Sequence, residues 1–137
     1  MIPILIDTHL GLAFALAVLS LWLTWNAYQR RKLPEHDVTP GYWKIQNVFQ
    51  AGVLLQAALG IMLVIEHVTP KDRLHFIYGG VLLLIVLIQR AMRPGHPVRA
   101  TITQDYRRFN EAWVLASLNF ASFLMIGRAI TTGIWGF

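Results

Sequence analysis

Two histidines stand at matching places in the sequence. His9, in the stretch IDTHLGLAFA, and His75, in DRLHFIYGG, each lie where a polar segment gives way to a long apolar run. Neutral imidazole is among the commonest metal ligands in proteins. If the two apolar runs enter a bilayer from the same side, the two imidazoles lie at one depth. They can then bind a single cofactor between them.

The elements that must position these histidines are long apolar helices. The chain has 137 residues, of which 55% are hydrophobic and only 14% charged, a composition too apolar for a soluble domain of this size. About 20 apolar helical residues span a bilayer. The sequence therefore predicts an all-α integral membrane protein with a single domain, an up-and-down bundle of four transmembrane helices. We place these helices at about residues 4–28, 45–66, 74–92 and 111–135.

The basic residues indicate how this bundle is oriented. An excess of Lys and Arg marks cytoplasmic loops, and nine of the twelve basic residues lie in or beside the two long loops. We therefore expect a multi-pass protein of the cell inner (plasma) membrane with both long loops cytoplasmic and both termini outside. The basic excess then reflects topology and contact with a lipid bilayer, and nucleic acid is not an expected partner. The nine residues are Arg30, Arg31, Lys32, Lys44, Arg90, Arg93, Arg99, Arg107 and Arg108.

In such a bundle the first and third helices lie on a diagonal, so His9 and His75 face each other if both point inward. Two imidazoles on opposing helices are suitable axial ligands for haem iron, which would make the chain a b-type haem protein that transfers electrons near the outer face. Small residues one turn away, Ala13 and Gly79, would leave space for the porphyrin. A haem propionate would need a cation or a hydrogen-bond donor, a role we assign to Arg128 with Thr131 or Thr132. Quinone is a candidate electron partner.

The same residues carry a resemblance to known proteins. The stretch LLQAALGIMLV resembles the glutamine and glycine pattern of haem A synthase, and RLHFIYGG resembles its histidine-bearing helix starts. The chain is thus similar to small four-helix membrane b-type cytochromes and to one half of haem A synthase. The resemblance implies a haem-binding bundle. It does not imply synthase activity, because this sequence has a single bundle and lacks histidine pairs near the ends of its second and fourth helices.

Two other functions remain open from the sequence. The chain could be a cofactor-free structural subunit of a larger respiratory or photosynthetic membrane complex, in which the outer polar residues form a salt-bridge cluster. It could also bind a metal at the outer face through His9, His67 and His75 with Glu66, Asp72 or Asp7. The sequence has no cysteine, which excludes thiolate sites and covalently attached haem. No motif of a water-soluble enzyme appears, and whether the chain is an enzyme is left open.

Further polar and small residues have expected roles in packing. Gly52, Gln56 and Gly60 are spaced by four in the second helix, a pattern typical of a close-packing face with an interhelical hydrogen-bond donor. The alternative for this face is a wall for a ring-shaped ligand. Asp72 is expected to cap the third helix. We assign His36 and His96 to loops, without a functional role.

Overall fold

The computed structural model describes residues 2–32, 38–105 and 110–135, and this part of the chain is helical with no strand. Four of its helices are long and apolar enough to cross a membrane, which confirms the predicted all-α class and the four candidate spans. The side of the membrane on which each loop and terminus lies stays a prediction. The helices are α1 (Ile2–Arg30), α2 (Pro40–Ile65), α3 (Leu74–Ala91), α4 (Pro97–Asp105) and α5 (Glu111–Ile134).

Two helices differ from the sequence prediction. The second span begins at Pro40, five residues before the predicted start, because Thr39 accepts a hydrogen bond from the backbone N–H of Tyr42 at 3.3 Å. A threonine cap followed by proline in the first turn is a strong helix start. In addition, the long connection before α5 contains α4, a helix of nine residues that is too short to span a bilayer.

Capping side chains also fix where α3 and α5 begin. The N-cap residue of α3 is Arg73, not Asp72 as expected, but the carboxylate of Asp72 accepts a hydrogen bond from the backbone N–H of Leu74 at 2.9 Å and so contributes to the helix start. Asn110 does the same for α5, since its side-chain oxygen accepts from the N–H of Trp113 at 2.9 Å. Both caps satisfy N–H groups that have no partner within their own helix.

The four spans pack as a ring. Helix α1 packs against α2 and α5, and α3 packs against α5 and more lightly against α2. Within the described ranges α1 and α3 share no backbone contact, so they occupy opposite corners of the bundle. Neighbouring helices run in opposite directions: the beginning of α1 at His9 meets the end of α2 at Gly60, and Tyr42 near the start of α2 bonds to the carbonyl of Leu23.

Four residues at one end of the bundle form a closed set of buried hydrogen bonds. They are Tyr42, Gln46, Gln89 and Asn119, and we call them the amide cluster. Gln46 donates to Gln89 at 2.9 Å, Gln89 donates to Asn119 at 3.2 Å, and Asn119 donates to both Gln46 and Tyr42 at 2.9 Å. Through the Tyr42 hydroxyl, which donates to a carbonyl of α1, the cluster reaches all four spans. Polar side chains inside a membrane protein are stable when they satisfy one another in this way.

Candidate functional site

The two histidines predicted to face each other are neighbours in the structure. His9 lies in the third turn of α1 and His75 is the second residue of α3, and both side chains are half-buried. Their ring centroids are 6.2 Å apart and their planes differ by 46°. Because α1 and α3 stand at opposite corners, the two rings meet across the interior of the bundle. We call them the histidine pair.

The orientation of His75 is fixed by a hydrogen bond to the helix beside it. Its Nδ1 lies 2.8 Å from the carbonyl oxygen of Ala129 in α5. A carbonyl oxygen can only accept, so Nδ1 carries the proton and donates it. In a neutral ring Nε2 then keeps its lone pair. This is the arrangement in which a histidine binds a metal through Nε2 while its other nitrogen is held in place.

His9 is held through its backbone instead. The side-chain amide of Gln56 in α2 donates to the carbonyl oxygen of His9 at 2.9 Å. The Nδ1 atom of His9 is buried and has no hydrogen-bond partner among the residues that the structure describes, and the same is true of the side-chain oxygen of Gln56. Neither histidine uses Nε2 in a hydrogen bond to the residues that the structure describes. Buried polar atoms without partners are uncommon.

Each ring of the histidine pair is backed by a glycine of a neighbouring helix. A Cβ atom at Gly60 of α2 would lie 3.3 Å from Cε1 of His9, and one at Gly133 of α5 would lie 3.1 Å from Nδ1 of His75. Contacts this short force the neighbouring atoms to move, so a larger residue at either position displaces the ring. The predicted packing role of Gly52, Gln56 and Gly60 is confirmed, because Gly52 also lies against Leu16 of α1. The contact of Gly133 was not predicted.

The small residues assigned to the porphyrin differ in their surroundings. Ala13 is 8% exposed and belongs to the core one turn from His9. Gly79 is half-buried, and an added Cβ there would meet no atom within 4 Å, so the space beside it is open. Gly79 is therefore not a point of close helix packing. Its assignment to a ligand stays a prediction.

The residues assigned to a propionate also differ from each other. Arg128 is exposed, its guanidinium carbon lies 5.5 Å from the ring centroid of Tyr78 in α3, and it forms no ion pair within the described part of the chain. Thr132 is fully buried and its hydroxyl donates to the carbonyl of Arg128 at 2.8 Å. Because that proton is used inside α5, Arg128 is the better candidate to bind an anionic group. Thr131 likewise bonds to the carbonyl of Arg128.

The other polar residues expected at the outer face do not assemble around the histidine pair. Glu66 and His67 are exposed, and among the residues described no group of three His, Asp or Glu side chains could hold a metal ion. The metal site built from histidines and carboxylates is therefore unsupported. The expected outer salt-bridge cluster is also not seen in the described ranges. A buried ion pair lies at the opposite end, where Arg99 donates to Glu111.

Of the two histidines assigned to loops, His96 lies away from the pair. His96 is exposed just before α4, and its Nδ1 accepts from the backbone N–H of Val98 at 3.3 Å, in agreement with the predicted loop position. His36 lies outside the described residues, as do Arg107 and Arg108 of the second basic loop.

No family model matches the chain, and no curated protein or solved structure is similar to it. The resemblance to b-type cytochromes therefore stays a prediction from the sequence. Any functional conclusion has to be argued from the residues of the site itself.

Proposed function

We propose that the chain is a membrane b-type haem protein in which His9 and His75 are the axial ligands and electrons pass near the outer face. The observation that carries the proposal is the distance between the two rings. Two imidazoles that bind one ion from opposite sides, with metal–nitrogen bonds of about 2.0 Å, have ring centroids roughly 6 Å apart. The observed separation is 6.2 Å. The ring planes can rotate about the metal–nitrogen axis, so their 46° angle is compatible with this coordination.

The hydrogen bond of His75 adds to this support. With its Nδ1 proton donated to Ala129, the ring offers Nε2 as the ligand atom. A hydrogen bond from the ring nitrogen that does not bind the metal orients a histidine and makes it a better electron donor to the metal.

Haem also explains why two protein ligands are sufficient. The porphyrin supplies four nitrogens to the iron, so a haem site needs no third side chain from the protein. Because the sequence has no cysteine, a haem in this chain would be bound without covalent attachment, as in b-type cytochromes. Arg128, exposed near the same end of α5, is the cation available to a propionate.

When bound, haem would supply an iron that accepts and releases one electron. The role of the protein is to fill both axial positions with imidazole, which favours electron transfer over the binding of small molecules to the iron. The proposed position of the histidine pair near the outer face rests on the charge pattern of the sequence, because the two strongly basic loops are expected to be cytoplasmic. A membrane quinone or another subunit of a respiratory complex would be the electron partner.

Single-histidine variants test the proposal. His9→Ala and His75→Ala are each expected to abolish the low-spin haem spectrum, because the iron loses an axial ligand. His67→Ala and His96→Ala are matched controls, since both side chains are exposed and away from the pair. Visible spectra of the oxidised and reduced proteins give the readout. Identical spectra for all four variants would refute the assignment of the ligands.

A cofactor-free structural subunit is the second candidate. The observation in its favour is the amide cluster, because its hydrogen bonds hold all four spans together without any ligand. In that case the histidine pair would only pack two helices. A featureless spectrum after expression with added haem, together with co-purification of partner subunits, would favour this function.

A further inference from the structure

Two buried polar atoms at the contact between α1 and α2 have no hydrogen-bond partner in the described part of the chain, and they are chemically complementary. One is Nδ1 of His9 and the other is the side-chain oxygen of Gln56. The imidazole nitrogen can carry a proton and donate it, whereas an amide oxygen can only accept. Leaving either buried atom without a hydrogen bond costs free energy.

Both atoms, Nδ1 of His9 and the side-chain oxygen of Gln56, lie where α1 packs against α2. The nitrogen of the Gln56 amide donates to the backbone carbonyl of His9 itself, so the amide lies directly beside this residue. One turn further along α2, the Nδ1–Cε1 edge of the His9 ring faces Gly60, where a Cβ would lie 4.0 Å from Nδ1 and 3.3 Å from Cε1. A glycine there lets α2 pack closely against this edge of the ring. The polar edge of His9 is thus turned toward the helix that carries Gln56.

We propose that Gln56 is a positioning residue for His9: its side-chain oxygen accepts the Nδ1 proton directly after a small rotation of the imidazole ring. The proposal deepens the haem function and rests on it for its purpose. With the proton held on Nδ1, His9 keeps the Nε2 lone pair, as His75 does through Ala129. Both members of the histidine pair then present the same nitrogen to the iron.

A carboxamide is the side chain that meets both requirements at this position. Its N–H₂ group donates to the His9 carbonyl while its oxygen accepts from the ring, so the backbone and the imidazole are fixed by one residue. Leucine in its place would do neither. Glutamate would keep the acceptor and lose the donor. The three side chains are similar in size, so they separate the tautomer effect from packing.

The tautomer of His9 can be measured without haem. Nitrogen NMR of haem-free protein in lipid nanodiscs, labelled with ¹⁵N-histidine and assigned with His9→Ala, distinguishes protonated from unprotonated ring nitrogens. We expect the Nδ1–H form for His9 in the wild type, its loss in Gln56→Leu, and its retention in Gln56→Glu. Gln50→Leu is the matched control, because Gln50 is another buried glutamine of α2 with an unpartnered amide nitrogen.

The outcomes separate this inference from the proposed function. A wild-type His9 protonated on Nε2, or an unchanged Nδ1–H form in Gln56→Leu, would overturn the role of Gln56 whether or not haem binds. In the haem-loaded protein, Gln56→Glu is expected to lower the midpoint potential, because a charged acceptor makes the ligand more electron-donating and stabilises ferric iron. An equal potential in Gln56→Glu and wild type would also contradict the proposal.

Discussion

The amide cluster and the histidine pair are both polar regions inside an apolar bundle, but their hydrogen bonding differs. In the cluster, Gln46, Gln89 and Asn119 are fully buried and bond to one another. In the pair, both rings are half-buried, Nδ1 of His9 has no partner, and neither Nε2 is used within the described residues. Between the two regions lies an apolar layer that includes Leu16 and Val53.

This difference agrees with different roles for the two regions under the proposed function. The side chains of the amide cluster satisfy one another, so the cluster serves to hold the helices. The histidine pair, beside two close-packed glycines, would use its Nε2 lone pairs to bind the iron. Substitutions in the two regions should therefore change different properties.

The largest effect on stability is expected from Asn119→Leu in the amide cluster. The substitution leaves Gln46, Gln89 and Tyr42 without their shared partner, so we expect a loss of about 3 kcal/mol in the free energy of unfolding. Unfolding in mixed detergent micelles would measure it. The haem spectrum of the folded fraction should stay unchanged.

The control for Asn119→Leu is Ser117→Leu, on the exposed face of the same helix. Its hydroxyl bonds only to the backbone of α5, so little change in stability is expected. Equal stability of the two variants would show that the amide cluster does not hold the bundle.

Gly133→Ala should have the next largest effect. This substitution acts on the histidine pair, and the property expected to change is haem affinity. The new Cβ would lie 3.1 Å from Nδ1 of His75 and displace the ring from Ala129. Loss of a hydrogen bond that holds a metal-binding histidine typically weakens metal binding about 10-fold or more, so haem affinity should fall by about that factor. Haem titration measures this. Gly127→Ala is the control, since its Cβ would meet nothing within 4 Å, and an equal loss in both variants would contradict the account.

Gly60→Ala should act in the same direction but less strongly. Its Cβ would lie 3.3 Å from Cε1 of His9, a contact that a small ring movement relieves. We expect a smaller loss of haem affinity than in Gly133→Ala, with Gly11→Ala as the control because no atom lies within 4 Å of that position. An effect on stability without an effect on haem would assign Gly60 to helix packing alone.

The smallest effect is expected from Arg128→Leu. If the guanidinium binds a propionate, its removal takes a positive charge away from the haem, which stabilises ferric iron and lowers the midpoint potential. Redox titration would measure the shift, with Arg93→Leu, an exposed arginine beyond the other end of α3, as the control. An unaltered potential would mean that Arg128 serves topology or lipid contact instead.

Much of the fold could be predicted from the sequence because length and hydropathy determine it. Four apolar stretches of spanning length are visible directly, and His9 and His75 stand at equal depth in two of them. The start of α2 was missed because Pro40 and Gly41 look like loop residues, although a threonine before a proline is also a helix cap. The short helix α4 has no apolar run to reveal it.

Contacts between helices were harder to predict, since they depend on how each helix is rotated and how closely the axes approach. Gln46 and Asn119 were recognisable as polar residues in apolar segments, but their joining with Gln89 in one network was not. Gln89 lies beside Arg90 and is easily taken for an interfacial residue. Likewise, no spacing within α5 indicates that Gly133 touches a ring of α3.

The most direct test of the central claim is the haem content of the purified wild-type chain. A visible spectrum of the oxidised and dithionite-reduced protein, with quantitation as the pyridine haemochrome, gives both the type of haem and its amount. The account predicts sharp low-spin bands and about one b-type haem per chain, as expected for iron between two imidazoles. A featureless spectrum after expression with added haem would contradict it and leave the histidine pair as a packing contact.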